Sequence, residues 1–112
     1  MLNYVFGKEK MKIVHKTVGK TLYVGLCGEL DESTSGIVRA ALDNLIEDFC
    51  ETKFVIDMSA LNFMDSTGVG VLLGRYKKLK AKGASLLIAS PTPSIDKILK
   101  LSGIYDIMPK II

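Results

Sequence analysis

The sequence predicts an α/β domain in which a mixed sheet of four or five strands is covered by about three or four helices. Two apolar stretches joined by a turn near the N-terminus indicate a hairpin. Segments with the helical spacing of apolar residues then alternate with short apolar runs of strand length. This order is typical of strands paired in parallel. The 112 residues leave room for one such domain, and no internal repeat or linker divides them.

The first half of the chain supplies the hairpin, one helix and one buried strand. Residues 12–28 have the pattern of strand, turn and strand, with the turn at residues 18–20. Apolar side chains in residues 37–49 recur on one helical face, which predicts a helix that ends near Cys50. Residues 54–56 form a continuous apolar run, which predicts a strand buried on both faces.

The second half supplies a connection, two helices and two strands. Residues 61–64 are expected to be a connection, and residues 65–83 a helix that begins at an Asp-Ser-Thr cluster and stops at a glycine. Residues 85–89 predict another buried strand, and residues 93–103 a helix that begins at a proline and closes at a glycine. Residues 104–112 are expected to form a short edge strand.

Charge and hydropathy favour a protein with neither a nucleic-acid nor a membrane partner. The net charge is +3, and five basic residues follow one another closely: Arg75, Lys77, Lys78, Lys80 and Lys82. Such a run could bind nucleic acid, but the solvated outer face of a helix is favoured because Tyr76 is the one aromatic residue there for base stacking. No apolar stretch approaches the ~20 residues that cross a bilayer. The N-terminus lacks the features of a signal peptide, so a cytoplasmic location is expected.

Metal binding is not favoured by the residue spacing. Cys27 and Cys50 have neither the C-x-x-C nor a zinc spacing, so we expect reduced and mostly buried thiols. Three acids, Asp31, Asp57 and Asp65, could in principle gather a Mg²⁺ ion. Capping of helices and loops by these carboxylates is the favoured interpretation, so no metal is expected.

Cofactor binding and catalysis are equally poorly supported. Gly68, Gly70 and Gly74 miss the spacing of the dinucleotide fingerprint, and no phosphate-loop lysine follows them; Gly74 is expected to make a close packing contact. A nucleophilic Ser66 would need a base, and the one histidine, His15, lies far away on a predicted surface strand. We therefore expect neither a cofactor nor an enzyme.

A candidate site remains at the start of the second helix. Asp65, Ser66 and Thr67 are consecutive, and either hydroxyl could cap the helix. Gly68 and Gly70 follow and, being small, could let another molecule approach the backbone. The loop at residues 28–31 also ends a strand and precedes a helix, and such loops gather at one edge of an α/β sheet. A helix start tolerates a negative group, because its free N–H groups and dipole stabilise one.

Two runs of residues carry a family resemblance: Gly28-Glu29-Leu30-Asp31, and the continuous segment from Asn62 to Lys77 that contains Asp-Ser-Thr-Gly. They resemble the anti-sigma-factor antagonists of the STAS family, and the Gly-Arg-Tyr-Lys continuation is most similar to the sporulation type. The resemblance implies the STAS fold for residues 11–112.

The resemblance also implies a function. Ser66 would be phosphorylated by the anti-sigma factor, a serine kinase, with Thr67 as its neighbour. The unphosphorylated form would bind that kinase and release the sigma factor, and a PP2C-type phosphatase would reset the switch. Asp31 would help to contact the kinase, with the remaining partner-binding residues Gly28, Glu29, Asp65, Thr67 and Gly68.

Alternatives stay open beside this interpretation. The chain could be the STAS interaction module of a stress-response signalling assembly, or a small nucleotide-binding enzyme. It could also be a piece of an anion transporter, although the absence of membrane segments argues against that. Residues 1–10 are expected to be a disordered leader or an added strand. The family usually continues into a final helix, so we expect Ile107, Ile111 and Ile112 to be exposed here and the protein to be a monomer or a weak dimer.

Overall fold

A long central strand organises the fold. The computed structural model describes the backbone of residues 3–8 and the whole of residues 10–112. The elements in chain order are strands β1 (Asn3–Lys8), β2 (Met11–Val18) and β3 (Thr21–Leu30), helix α1 (Glu32–Glu47), strands β4 (Lys53–Asp57) and β5 (Leu61–Met64), helix α2 (Ser66–Ala81), strand β6 (Ser85–Ala89) and helix α3 (Pro93–Leu101). A single turn of 3-10 helix follows at Ile104–Asp106.

The strands form one mixed sheet, as the sequence predicts. Its order is β1-β2-β3-β4-β6, with β5 paired to β3. The pairs β1/β2 and β2/β3 are antiparallel, whereas β4 and β5 both pair with β3 in parallel, as β6 does with β4. Residues 1, 2 and 9 of the expected leader lie outside the described residues, while residues 3–8 form the edge strand β1.

The central strand β3 has two parallel partners in succession. Its first half, from Thr21 to Gly25, pairs with β4, and its last residues, from Gly28 to Leu30, pair with β5. The expectation that residues 61–64 form only a connection is therefore wrong. Because β3 continues past the end of β4, its exposed backbone groups bond to this short strand.

One hydrophobic core lies between the sheet and the helices. Alternate residues of β3, among them Leu22, Val24 and Leu26, are buried in it. Helices α1 and α2 also pack against each other. The two glycine signals were correct, since Gly83 and Gly103 have positive φ angles just after α2 and α3.

The basic face of α2 is only partly a solvated surface. Arg75 is 7% exposed, and its Nε lies 3.0 Å from Oδ1 of Asp43 on α1. Its placement on the outer face is therefore wrong. Lys78 also pairs with Asp43 at 3.0 Å, and Lys82 donates to the carbonyls of Ile46 and Glu47 at the end of α1. These cations join α2 to α1, which leaves little of a stripe for nucleic acid.

The C-terminal segment differs from the expected edge strand. After the 3-10 turn, residues 109–112 run along β6 and form one parallel bridge, between Ile88 and Lys110. As predicted, Ile107, Ile111 and Ile112 are exposed, by 40%, 45% and 74%. Among the residues that the structure describes, no helix combines the length and the apolar character needed to cross a membrane.

Candidate functional site

The pairing of β3 with β5 brings two helix starts side by side. Leu30 and Met64 are Cα partners in this parallel pair, and each is followed by an aspartate that begins a helix. We call residues 30–34 the first helix start and residues 64–68 the second helix start. Neighbouring strands lie about 4.8 Å apart, so the N-termini of α1 and α2 are adjacent at one edge of the sheet. The predicted gathering of these two segments at one sheet edge is confirmed, but the prediction that residues 28–30 form a loop is wrong, because they are the last residues of β3.

At the second helix start, the cap is Asp65. Its Oδ1 accepts a hydrogen bond from the backbone N–H of Thr67 at 2.9 Å. The expectation that Ser66 or Thr67 supplies the cap is wrong, because the carboxylate occupies that role. Ser66 is exposed, and its hydroxyl forms no hydrogen bond to another described residue. The Ser66 oxygen is thus free to meet another molecule, while the half-buried Thr67 is less accessible.

At the first helix start, the cap is Asp31, and it is saturated. Oδ1 accepts from the N–H groups of Ser33 and Thr34, at 2.9 and 3.2 Å, and from the Ser33 hydroxyl at 2.7 Å. Thr34 Oγ1 in turn accepts from the Asp31 N–H at 3.0 Å, which completes a capping box. The predicted capping role of the Asp31 carboxylate is confirmed.

The other carboxylate oxygen of Asp31 faces a lysine that sequence reasoning did not identify. Lys10 Nζ lies 2.7 Å from Asp31 Oδ2 and 3.2 Å from the Ser33 hydroxyl. The hydrogen bond from Lys10, and then that from Ser33, hold the pKa of Asp31 well below its usual range. Lys10 stands in the expected leader, and no motif marks it. Only the strand register, which pairs Met11 with Gly28, could have placed it here.

Gly28 and Glu29 build the floor of the site through their backbones. Gly28 has φ +127°, and a Cβ there would lie 2.0 Å from the carbonyl oxygen of Lys10, so only glycine fits. The Glu29 N–H donates to that same carbonyl at 2.9 Å, and the Glu29 carbonyl accepts from Thr34 Oγ1 at 2.8 Å. The backbones of Gly28 and Glu29 therefore hold in place the end of the strand that Asp31 follows.

Gly68 has a packing role. It is buried, and a Cβ at this position would lie 2.3 Å from Cγ of Met64 and 3.1 Å from Cδ2 of Leu30. The interpretation that Gly68 opens the backbone to another molecule is wrong, since the inner surface of the sheet already fills that space. Gly70 is exposed and faces open space. A Cβ at Gly74 would also lie more than 4 Å from any neighbour among the described residues, so the close contact expected there is not found.

The three acids that could have gathered Mg²⁺ all act as caps or turn formers. Asp31 and Asp65 cap helices, and Asp57 accepts from the N–H of Ser59 at 2.9 Å. Within residues 10–112, the structure brings together no three His, Cys, Asp or Glu side chains that could hold a metal ion. The favoured interpretation of these acids as caps is confirmed.

The remaining candidate side chains lie apart from the site or line it unexpectedly. His15 pairs with Val24, in the half of β3 far from the helix starts. Both cysteines are free, but Cys50 is exposed and Cys27 half-buried, so their predicted burial is wrong. Phe63 on β5 is 45% exposed, two residues before Asp65. Sequence reasoning missed it because residues 61–64 lacked a strand assignment that would have turned Phe63 outward.

Comparisons with known proteins point in one direction. The family model described as STAS domain matches residues 12–112. An anti-sigma F factor antagonist of Paenibacillus polymyxa is 41% identical over 88 residues, which cover 79% of this chain and 75% of that protein.

Two solved structures share 30% sequence identity with the chain. The anti-sigma factor antagonist SpoIIAA in its unphosphorylated form matches with a TM-score of 0.75, over 89% of this chain and 88% of that one. The Bacillus cell fate determinant SpoIIAA in the phosphorylated form matches with a TM-score of 0.68, over 89% and 91%. The similarity therefore extends over most of each chain in both forms.

Proposed function

Because the chain belongs to the STAS-domain family, we propose that it is an anti-sigma factor antagonist that is switched off by phosphorylation of Ser66. The unphosphorylated form binds an anti-sigma factor that is also a serine kinase, and the sigma factor is released. The kinase phosphorylates Ser66, and a PP2C-type phosphatase resets the switch. The similarity to SpoIIAA in both states supports this cycle. On this proposal the chain acts in the cytoplasm as a binding protein and not as an enzyme.

The exposed hydroxyl of Ser66, which bonds to no other residue that the structure describes, is the observation that carries the proposal. A kinase must reach the oxygen that accepts the phosphoryl group, and the hydroxyl must not be committed elsewhere. Asp65 takes over the capping bond, so Ser66 is left available in the first turn of α2. A phosphate there would meet backbone N–H groups and the positive end of the helix dipole. The domain can therefore accept the modification without unfolding.

The effect of the phosphate is local and electrostatic. A phosphoserine adds about −1.5 to −2 charges at neutral pH. Asp65 is its immediate neighbour in the sequence, and Asp31 follows the strand residue paired with Met64. A partner surface fitted to a neutral hydroxyl beside these carboxylates would meet a third and stronger negative group. Such a mismatch weakens docking by charge repulsion and by bulk.

The partner would dock on an area that we call the switch surface, formed by Asp31, Phe63, Asp65, Ser66 and Thr67. Phe63 offers it an exposed aromatic ring, a residue type enriched at the centres of interfaces. Beneath it, Gly28, Glu29 and Gly68 hold the two helix starts in place through backbone bonds and close packing. We therefore assign these three residues to shaping the switch surface and the five others to contacting the partner.

The deciding experiment compares variants of Ser66 for binding to the purified anti-sigma factor. Ser66→Ala should bind persistently and accept no phosphate from the kinase. Ser66→Asp should bind more than about tenfold more weakly, a change of about 1.4 kcal/mol. Isothermal titration calorimetry measures the affinity, and mass spectrometry after incubation with kinase and ATP locates the phosphate.

Thr67→Ala is the matched control, because it removes the neighbouring hydroxyl and leaves Ser66 intact. It should still be phosphorylated on Ser66. Phosphate on Thr67 of the wild-type protein, or equal affinities of Ser66→Asp and the wild type, would refute the proposal. Circular dichroism of each variant checks that the fold is retained.

A further inference from the structure

A lysine that precedes the matched STAS residues contacts the switch surface. Lys10 Nζ forms an ion pair with Asp31 Oδ2 at 2.7 Å, whereas the family model matches from residue 12 onward. We propose that Lys10 is an intramolecular competitor, which covers the Asp31 carboxylate in the free protein and must leave it when the anti-sigma factor docks. The inference rests on the proposed function, because that function places Asp31 in the docking surface.

The two oxygens of the Asp31 carboxylate have separate tasks. Oδ1 is committed to the fold, since it accepts from the N–H groups of Ser33 and Thr34 and from the Ser33 hydroxyl. Oδ2 accepts only from Lys10 among the described residues. A partner that recognises Asp31 must therefore use Oδ2, and a carboxylate oxygen recruits a cationic or N–H donor. The lysine amine already holds one acceptor position of Oδ2, so such a donor would compete with a cation that is bonded to the same oxygen.

Lys10 can move away without disturbing the sheet. Its side chain is 44% exposed, so the displaced amine would return to water, and exposed ion pairs of this kind contribute little to stability. Its backbone is fixed independently, because the Lys10 carbonyl accepts from the Glu29 N–H at 2.9 Å. The Lys10 side chain can therefore leave Asp31 while the Lys10 backbone stays fixed.

Lys10 is also the one cation that contacts either helix start in the part of the chain that the structure describes. The other cations in ion pairs, Arg75, Lys78, Lys100 and Lys110, pair with Asp43 or Asp96. Removing the Lys10 charge therefore breaks the ion pair at Asp31 and leaves every other described ion pair intact. This isolation makes the competition measurable.

The test is the affinity of the unphosphorylated protein for the anti-sigma factor, measured by calorimetry. Lys10→Met keeps most of the side-chain length and removes the amine, so it should bind about two- to fivefold more tightly, the range that an exposed ion pair is worth. Lys12→Met is the matched control. Lys12 is exposed two residues further on, in β2, and forms no ion pair with a described residue, so its loss reports the general effect of one charge.

The same substitution made in an Asp31→Asn variant tests whether Lys10 acts through Asp31. Asp31→Asn preserves an N-cap acceptor but removes the charge, because asparagine caps helices as well as aspartate does. It should weaken binding, and adding Lys10→Met to it should change nothing further. Tighter binding that survives in the Asp31→Asn background would show that Lys10 acts elsewhere, which would overturn the inference.

Two further results would also overturn it: binding by Lys10→Met that is weaker than wild type, or binding no different from Lys12→Met. The proposed function is judged separately. If the wild type binds and Ser66→Asp does not, the switch stands even when Lys10 proves irrelevant. If the wild type does not bind the anti-sigma factor at all, the proposed function fails, and this inference fails with it.

Discussion

The two helix starts share a plan and differ in how much of it is satisfied. In each, a strand residue of the Leu30/Met64 pair is followed by an aspartate that caps a helix. Asp31 at the first start is bonded by three donors on Oδ1 and one lysine on Oδ2. Among the described residues, the Asp65 side chain at the second start accepts a single bond, from the N–H of Thr67. The first start is saturated and the second is open.

The residue directly after each cap shows where a negative group is favoured. The residue that follows the cap is Glu32 in α1 and Ser66 in α2, and α2 has no acidic residue in its first turn. Carboxylates are favoured in the first turn of a helix because they meet free N–H groups and the helix dipole. The first start thus carries a permanent negative group where the second carries a hydroxyl. Phosphorylation of Ser66 would give α2 the kind of group that α1 already has.

The largest effect expected from this comparison concerns the third residue after each cap. At the first start it is Thr34, which is buried and bonded to the Glu29 carbonyl, and at the second it is Gly68, which packs on Met64. Gly68→Ala should lower the free energy of unfolding by about 1–3 kcal/mol, because its Cβ would lie 2.3 Å from Met64 Cγ. Urea denaturation measures this.

Gly70→Ala is the control, since it has the same chemistry on the same helix but faces open space. It should raise the free energy of unfolding by about 0.5–1 kcal/mol, the difference in helix propensity between alanine and glycine. Equal effects of the two substitutions would show that Gly68 does not hold α2 against the strands.

The sequence predicted the order of elements well because that order depends on local patterns. Apolar periodicity, the polar loop before α1 and the glycines at 83 and 103 are short-range signals. Arg75 could not be predicted in the same way. Its burial depends on Asp43, which is 32 residues away and meets it only when α1 and α2 pack together. Strand β5 was missed for a similar reason, because its partner lies at the far end of β3.

A smaller effect is expected from removing each cap. Asp65→Ala should lower the free energy of unfolding by about 1 kcal/mol, the usual cost of losing an N-cap. Asp31→Ala should lower it further, because it removes the capping box and the Lys10 ion pair as well. Thermal and urea denaturation of both variants, with the two aspartate-to-asparagine variants as controls that keep the cap, test this order. The reverse order would contradict the view that the first helix start is the saturated one.

Many residues of the candidate site could be predicted from the sequence, but the role of each residue could not. Ser66, Asp65 and Asp31 stand in recognisable runs, and the strand order brings them together as predicted. Which of three consecutive polar residues caps α2 depends on backbone angles at Asp65, which only the folded chain shows. Lys10 was invisible because its contact depends on the register of β2 against β3, and because it stands in no motif.

The smallest effect expected is on the pH dependence of stability, and it separates the two starts by charge. The Lys10 hydrogen bond holds the pKa of Asp31 below its value of about 3.9 in an unfolded chain. The ionised carboxylate is favoured in the folded state, so its contribution is complete above pH ~4 and is lost as the pH falls below that value. The free energy of unfolding of the wild type should therefore decline more steeply between pH 5 and pH 3 than that of Asp31→Asn. Asp96, whose pKa is lowered to about 2 chiefly by its bond from Tyr105, titrates in both proteins and cancels in the difference. The decline for Lys10→Met should be intermediate between those of the wild type and Asp31→Asn, because the lysine is the largest cause of the lowered pKa of Asp31. Parallel curves for all three proteins would mean that the Lys10–Asp31 contact does not persist in solution.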